Sequence, residues 1–209
     1  MIKALGSVLA GSDRPMIVTS GTGLANTVPG QLAKEDDAIV GSDVHPRAIS
    51  EEAASAVAAD GVNVSVMRLP QVHDTVKQGL ITPLIAMYRE KGACTYLGDG
   101  LNRWPAAYVL DVARLYRLAI EKAEPNAKYH AVAEEGVSIR DIAEVLGRRL
   151  KLPVKSVTPD EAQAYFGWLA MFAGHDVPAS SAQTRKELGW RPTGPGLIAD
   201  LEQLHVSDT

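Results

Sequence analysis

Apolar residues Ile2, Leu5, Val8 and Leu9 recur at helical spacing and stop at Gly11, which predicts a short opening helix. Beyond Arg14-Pro15 the pattern changes. Met16-Ile17-Val18-Thr19-Ser20 is a continuous run, rich in β-branched residues and stopped by Gly21 and Gly23. Such a run reads as a buried strand with a glycine loop at its carboxyl end. Residues 24–45 are polar and mixed, so a loop is expected there. Arg47 to Ala59 reads as a helix whose small alanines permit close packing, and Val62 to Leu69 as a second buried strand stopped by Pro70. Helix and strand alternate, as in parallel βα architecture.

The second half continues in shorter units. A helix is expected from about Leu80 to Lys91, with Pro83 tolerable only in its first turn, then a strand from Cys94 to Leu97 before the turn Gly98-Asp99-Gly100. Asp111 suits the N-cap of a helix over Val112 to Lys122. Tyr129 to Ala133 and Val154 to Val157 read as strands. Between them Ser138 caps a helix that carries Ile139, Ile142, Leu146 and Leu150 on one face. Pro159 and Asp160 open an amphipathic helix holding Tyr165, Trp168 and Phe172, and a last helix begins near Pro195. Only two strong sheet-core strands precede residue 75. A parallel sheet cut off there would leave an apolar edge open to pairing, so upstream sequence or a second chain is expected to cover it.

Composition narrows the function classes. With 46% hydrophobic and 22% charged residues the 209-residue chain has the make-up of a globular protein. A net charge of −4 with mixed signs argues against a nucleic-acid partner. Cys94 is the only cysteine, in an apolar setting that favours an inert buried thiol and a reducing compartment. No apolar run approaches the roughly 18 residues of a membrane span, and the amino terminus lacks a signal-peptide core; a cytoplasmic protein with no membrane partner is expected. His45, His73, His130, His175 and His205 are scattered, without ligand spacing, so no metal site is expected.

In order, Ile17-Val18-Thr19-Ser20, Pro46-Arg47-Ala48-Ile49-Ser50-Glu51, Met67-Arg68-Leu69-Pro70, Gly98-Asp99-Gly100 with Tyr108-Val109-Leu110-Asp111, and Leu188-Gly189-Trp190-Arg191-Pro192 resemble the extended short-chain dehydrogenase/reductases, the NAD-dependent epimerase/dehydratase group. The resemblance covers nearly the whole chain. It implies an α/β fold: the C-terminal part of a Rossmann-type parallel sheet over residues 1–74, and a smaller mixed α/β substrate lobe over 75–209, some segments of which return to the first sheet. It also implies that roughly the first hundred residues of that fold, with its glycine-rich phosphate turn, lie outside this sequence. Ser20-Gly21-Thr22-Gly23 does not replace that turn, since it lacks the third glycine of Gly-x-Gly-x-x-Gly and no helix clearly follows it.

What the resemblance implies for chemistry is uneven. Ser20 falls where the family places a catalytic Ser or Thr bound to the reacting oxygen; a polar residue satisfying backbone at a strand end is the plainer alternative. The family's Tyr-x-x-x-Lys is missing. Arg47 and Glu51 stand in its place, and arginine is no proton shuttle near neutrality; the two are expected to pair along the helix for about 0.3–0.5 kcal/mol. Leu69, Pro70 and Gln71 are expected beside the nicotinamide of NAD or NADP. His73, Arg103, Trp104 and Tyr108 are expected toward a small-molecule substrate, although a solvated His73 and a Trp104 packed between lobes are the plainer readings. Trp104 replaces an arginine common in relatives that bind nucleotide sugars, so an aromatic wall would favour a smaller or less charged substrate. Trp168 and Trp190 read as packing residues. A full-length form is expected to be an NAD(P)-dependent oxidoreductase or epimerase/dehydratase-like protein with an atypical site, and this chain alone to bind the cofactor weakly and to be inactive. The rival is a non-catalytic small-molecule binder or sensor, and a homo-oligomer is possible.

Overall fold

The computed structural model describes residues 1–25, 28 and 30–205; of the expected 24–45 loop, residues 26, 27 and 29 lie outside the described residues. Helix α1 (Ile2–Leu9) leads to strand β1 (Met16–Gly21), and helix α2 (Ile49–Ala59) to β2 (Val64–Leu69). The helix expected from Arg47 begins instead with a single 3₁₀ turn, Pro46–Ala48, capped by the His45 side chain. Proline is favourable at that first position because its missing N–H has no helical partner to lose. β1 and β2 pair in parallel with Met16 opposite Val64 and Ser20 opposite Arg68. β6 (Lys128–His130) joins the far side of β2. The sheet order is β1-β2-β6, and among the described residues β1 has no strand on its other edge.

A second, mixed sheet holds β3 (Gln71–His73), β5 (Arg103–Tyr108) and β7 (Glu134–Ser138), with β3 and β5 parallel and β7 antiparallel. The sequence pattern shows none of these three strands, and the reasons are physical. Pro70 separates β2 from β3 without turning the chain out of the sheet region. Pro105 lies inside β5 where the register with β7 shifts, which is where a strand tolerates a residue without an N–H. β7 is a polar edge strand, Glu-Glu-Gly-Val-Ser, and only Val137 faces the core. A parallel pair, β4 (Cys94–Leu97) with β8 (Val154–Val157), completes the strands.

The helices of this half are α3 (Ile81–Lys91), α4 (Val109–Lys122), α5 (Ile139–Leu150), α6 (Pro159–Phe166), α7 (Ala170–Ala173), α8 (Ala182–Leu188) and α9 (Leu197–Glu202). The amphipathic helix expected from Pro159 through Phe172 is broken at Gly167, whose φ of +52 suits glycine. α8 escapes a periodicity reading because Ala-Gln-Thr-Arg-Lys-Glu-Leu has no apolar stripe. α5 begins as expected, with Ser138 Oγ accepting from the Asp141 N–H at 3.1 Å.

Asp111 does not cap α4. The helix starts two residues earlier, and the buried Asp111 carboxylate accepts N–H groups from Thr193 and Gly194 (3.1 and 2.8 Å) and pairs with Arg114. Trp190 is 2% exposed and donates its indole N–H to the Asp111 carbonyl at 3.0 Å. The 188–196 segment is thereby fastened over the cluster of Met67, Leu115 and Tyr129. Trp190→Ala is expected to cost about 3–5 kcal/mol in urea unfolding; a loss below about 1 kcal/mol, the scale of an ordinary substitution, would mean that this ending contributes little to the fold.

Candidate functional site

The carboxyl ends of β1 and β2 carry a buried polar cluster built around Arg68. Its guanidinium is completely buried and holds Glu51 through two bonds, Nε to Oε1 and Nη2 to Oε2, both 2.9 Å. Nη1 donates to the carbonyls of Glu35 and Asp37 at 3.2 Å each. The same nitrogen lies 3.4 Å from His130 Nε2. His130 Nδ1 sits 2.8 Å from the Ser180 carbonyl, an acceptor only, so Nδ1 carries the proton and Nε2 turns its lone pair to Arg68. Glu35 reaches the other way: its carboxylate accepts the Thr184 N–H and hydroxyl at 2.8 and 2.7 Å. The loop after β1 is thus tied down across the ends of the strands.

Arg47 and Glu51 do not form the expected helical pair. Glu51 turns inward to Arg68, and Arg47 stays exposed without an ion pair among the described residues. A guanidinium denied water must be neutralised, and a bidentate carboxylate is the strongest way to do so. Burial pushes the Glu51 carboxyl up, but Arg68 and the Ser20 hydroxyl outweigh this and hold it below its ordinary value of 4.5. Burial lowers His130 from its ordinary value of 6.5.

Ser20 is 2% exposed at the end of β1. Its Oγ lies beside Glu51 yet makes no hydrogen bond of ordinary geometry, so the plainer expectation, a side chain satisfying backbone, does not describe it. Leu69 ends β2, and its carbonyl accepts the Thr22 hydroxyl at 3.3 Å. Pro70 links the two sheets. Gln71 belongs to β3, and its Oε1 accepts the Leu80 N–H at 2.8 Å, so that side chain holds α3 in place.

His73 is not solvated. It is 1% exposed, with Nδ1 2.7 Å from the Asp200 carboxylate, Nε2 buried without a partner, and its ring 6.2 Å from that of Tyr108. Tyr108 packs against Gly194. Trp104 is 3% exposed and lies in the core of the second half, so it forms no wall of a cleft. Arg103 is committed to Asp176, with Nε and Nη2 at 3.0 and 2.8 Å from the two carboxylate oxygens, and cannot replace a phosphate clamp without breaking that pair. Glu51, Arg68, His130 and Asp200 were missed by sequence reasoning as members of polar clusters, because charged residues in a strand or helix give no local sign of being buried.

For a nicotinamide dinucleotide these residues fit at one end only. Ser20, the position that the resemblance gives to a catalytic hydroxyl, is buried beside Glu51 without a hydrogen bond of ordinary geometry. Glu51, which the resemblance sets at the family's lysine position, is a carboxylate already bound to Arg68. Gly21 closes β1, and Thr22–Leu24 is a single 3₁₀ turn, so no α-helix amino terminus gathers N–H groups for a pyrophosphate. Among the described residues these groups do not form a pyrophosphate cradle. Among the described residues no group of histidine, cysteine and carboxylate side chains could hold a metal, and no helix is long and apolar enough to cross a membrane.

The parallel βα sheet and the mixed second sheet define a Rossmann-type α/β protein. The family model for the NAD dependent epimerase/dehydratase family matches residues 44–133. An uncharacterised protein of Schizosaccharomyces pombe, C2A9.02, is 41% identical over 202 residues, 96% of this chain and 68% of its own. A second, YLL056C of Saccharomyces cerevisiae, is 38% identical over 194 residues, 92% of this chain and 64% of its own. The chain therefore spans about two thirds of the length of these curated relatives, and it belongs to the NAD dependent epimerase/dehydratase family. Among solved structures, DesIV, a dTDP-glucose 4,6-dehydratase from Streptomyces venezuelae with NAD and TYD bound, superposes with a TM-score of 0.69 at 16% identity, over 97% of this chain and 67% of its own. The human epimerase family protein SDR39U1 with NADPH gives 0.72 at 18%, over 97% and 70%. These two likenesses establish the fold.

Glu51→Gln is expected to destabilise the protein by about 3–5 kcal/mol, because Arg68 would remain buried without its counter-charge; the double variant Glu51→Leu/Arg68→Met should recover most of that loss in urea unfolding. The pH dependence has a definite sign. His130 is held neutral, so below pH 6.5 the unfolded chain takes up a proton that the folded one refuses, and stability falls. Glu51 adds stability that is full above 4.5 and lost as pH falls through its lower folded value. The urea midpoint should therefore decline in two stages below pH 6.5; a flat profile down to pH 4 would contradict both assignments.

Proposed function

We propose that this chain is the substrate-side portion of a nicotinamide-dependent oxidoreductase or epimerase/dehydratase-like protein with an atypical active site, working on a small hydroxyl or carbonyl compound in the cytoplasm. The observation that carries the reading is Ser20, a buried and unpartnered hydroxyl at the end of β1, in the place where the family binds the reacting oxygen. The family membership and the NAD and NADPH bound to structural neighbours support the cofactor class. When bound, a nicotinamide supplies a hydride acceptor or donor. The pyrophosphate cradle is proposed to lie on polypeptide outside these 209 residues, in the same chain or in a partner. The edge of β1, which pairs with no strand among the described residues, and the absence of any Gly-x-Gly-x-x-Gly support that view.

The chain's own residues orient rather than shuttle. Ser20 Oγ is proposed to donate to a substrate oxygen, which helps most if charge grows there during reaction. Glu51 and Arg68 form a neutral floor beneath it. Leu69, Pro70 and Gln71 are proposed to line the nicotinamide side through their main chain, with Gln71's side chain left out. For His73, Arg103 and Trp104 direct contact with substrate is not supported by their positions; Tyr108 is proposed to act as a supporting residue beneath the 193–196 turn.

A second reading, a non-catalytic binder or sensor on the same fold, is favoured by one feature. Arg47 and Glu51 stand where a tyrosine and lysine would move and stabilise a proton, and Glu51 is sequestered by Arg68.

By calorimetry the 209-residue chain is expected to bind NAD(H) and NADP(H) no more tightly than about millimolar, roughly −4 kcal/mol; a micromolar dissociation constant would overturn the placement of the cradle. In a longer form carrying that cradle, hydride transfer with aldehydes, ketones and sugar nucleotides should fall about 10²–10³-fold in Ser20→Ala, as for loss of one oxyanion donor. Absence of any turnover in that form would favour the sensor.

A further inference from the structure

The outer edge of β6, separated from β1 and Ser20 by β2, carries a surface pocket of about 570 Å³. Besides β6 itself, three segments meet there. The turn after α4 supplies Glu124 and Asn126, α8 supplies Gln183 and Glu187, and the loop after β1 supplies Asp36. Hydrogen bonds on either side fix this meeting. Glu35, next to Asp36, accepts the N–H and hydroxyl of Thr184, next to Gln183, at 2.8 and 2.7 Å. The Asn126 N–H donates to the Val64 carbonyl at 2.8 Å, which holds the turn against β2.

Tyr129 of β6 lines the same pocket. Its ring belongs to the cluster of Met67 and Leu115, it is completely buried, and its hydroxyl has no hydrogen-bond partner among the described residues. A buried hydroxyl left in that condition costs free energy and calls for a reason. Burial, and after it the Glu187 and Glu124 carboxylates, push the phenol above its ordinary value of 10.0. Both carboxylates line the pocket, so the hydroxyl end of Tyr129 meets it, in a negative field. Neighbouring lysines do little to cancel that field. Lys122 lies 3.9 Å from Glu124 and is exposed. Lys128 alternates with Tyr129 along the strand and points to the opposite face, where its charge helps to lower Glu51. Glu187 accepts the Gln183 amide at 3.0 Å, and neither it nor Asp36 has an ion pair among the described residues.

We infer that this pocket binds a small organic dication of the linear diamine or polyamine kind, one ammonium set between Glu187 and Tyr129 and another at Asp36. An ammonium carries three donors and no acceptor. Drawn from Gln183 toward it, Glu187 accepts from the ammonium and from the phenol hydroxyl, which thereby gains the partner it lacks. A metal ion fits less well, since it needs several ligands converging on one point, and among the described residues no such group exists. Carboxylates on separate segments suit charges held apart by a methylene chain. The inference goes beyond the proposed function and is independent of it.

The test is calorimetry on the 209-residue protein with spermidine, in about 150 mM sodium chloride so that diffuse surface attraction is screened. Saturable binding tighter than about millimolar is expected. Glu187→Gln should weaken it about tenfold, the scale of one hydrogen bond to a charged group. Tyr129→Phe should weaken it about threefold or more without any change of charge, while the urea midpoint of the free protein stays the same or rises, because an unpartnered hydroxyl has been removed. Should Tyr129→Phe fail to fold, Glu187→Gln on the surface carries the test alone. Glu90→Gln, which removes an exposed carboxylate outside the pocket, should leave the affinity unchanged. The inference is overturned by an absence of saturable binding, by an equal loss in Glu90→Gln and Glu187→Gln, or by a folded Tyr129→Phe that binds as well as the parent protein. It is overturned equally if equimolar magnesium displaces spermidine, or if inorganic phosphate binds more tightly, since the lysines would then be the recognising groups.

Discussion

The arrangement at the strand ends depends on one constraint: the Arg68 guanidinium has no access to water. A buried cation of that size is tolerable only if its charge is matched and its donors are used. Glu51 meets the first demand from α2, and the carbonyls of Glu35 and Asp37 meet much of the second from the loop after β1. Because Arg68 lies on β2 and those partners come from two other segments, satisfying one side chain fixes how α2, β2 and that loop sit together. His130 and Thr184 extend the cluster to β6 and α8. Removing the charge of Glu51 or of Arg68 would leave the other buried and unmatched.

That constraint also decides the chemistry available. A carboxylate already bound by two guanidinium nitrogens is a poor proton acceptor and cannot stand in for an ammonium group at a ribose. The cluster therefore supplies a rigid and nearly neutral base under Ser20 instead of a proton relay. Around it, polar side chains are spent on structure: Asp111 on the 193–194 turn, Arg103 on Asp176, His73 on Asp200.

Much of the architecture was legible beforehand because it rests on local rules. The β-branched runs of β1 and β2, the Ser138 cap and the apolar stripe of α5 are each encoded within a dozen neighbouring residues. Three strands escaped for the opposite reason. β3 and β5 each adjoin or contain a proline, β7 is polar, and all three exist because a partner strand supplies the missing hydrogen bonds. The apolar pattern runs on through Phe172, whereas Gly167, at a φ of +52, ends α6.

At the site the division is sharper. Sequence alone determined the family likeness and the absence of a Gly-x-Gly-x-x-Gly fingerprint from these 209 residues, because these are matters of which residue stands where. Only the tertiary structure decided that Glu51 faces Arg68 instead of Arg47, that His73 is sealed against Asp200, and that Trp104 is core while Trp168 lies in water. Pairing and burial are set by segments up to 127 residues apart in the chain, and no local pattern of polar and apolar residues carries that information.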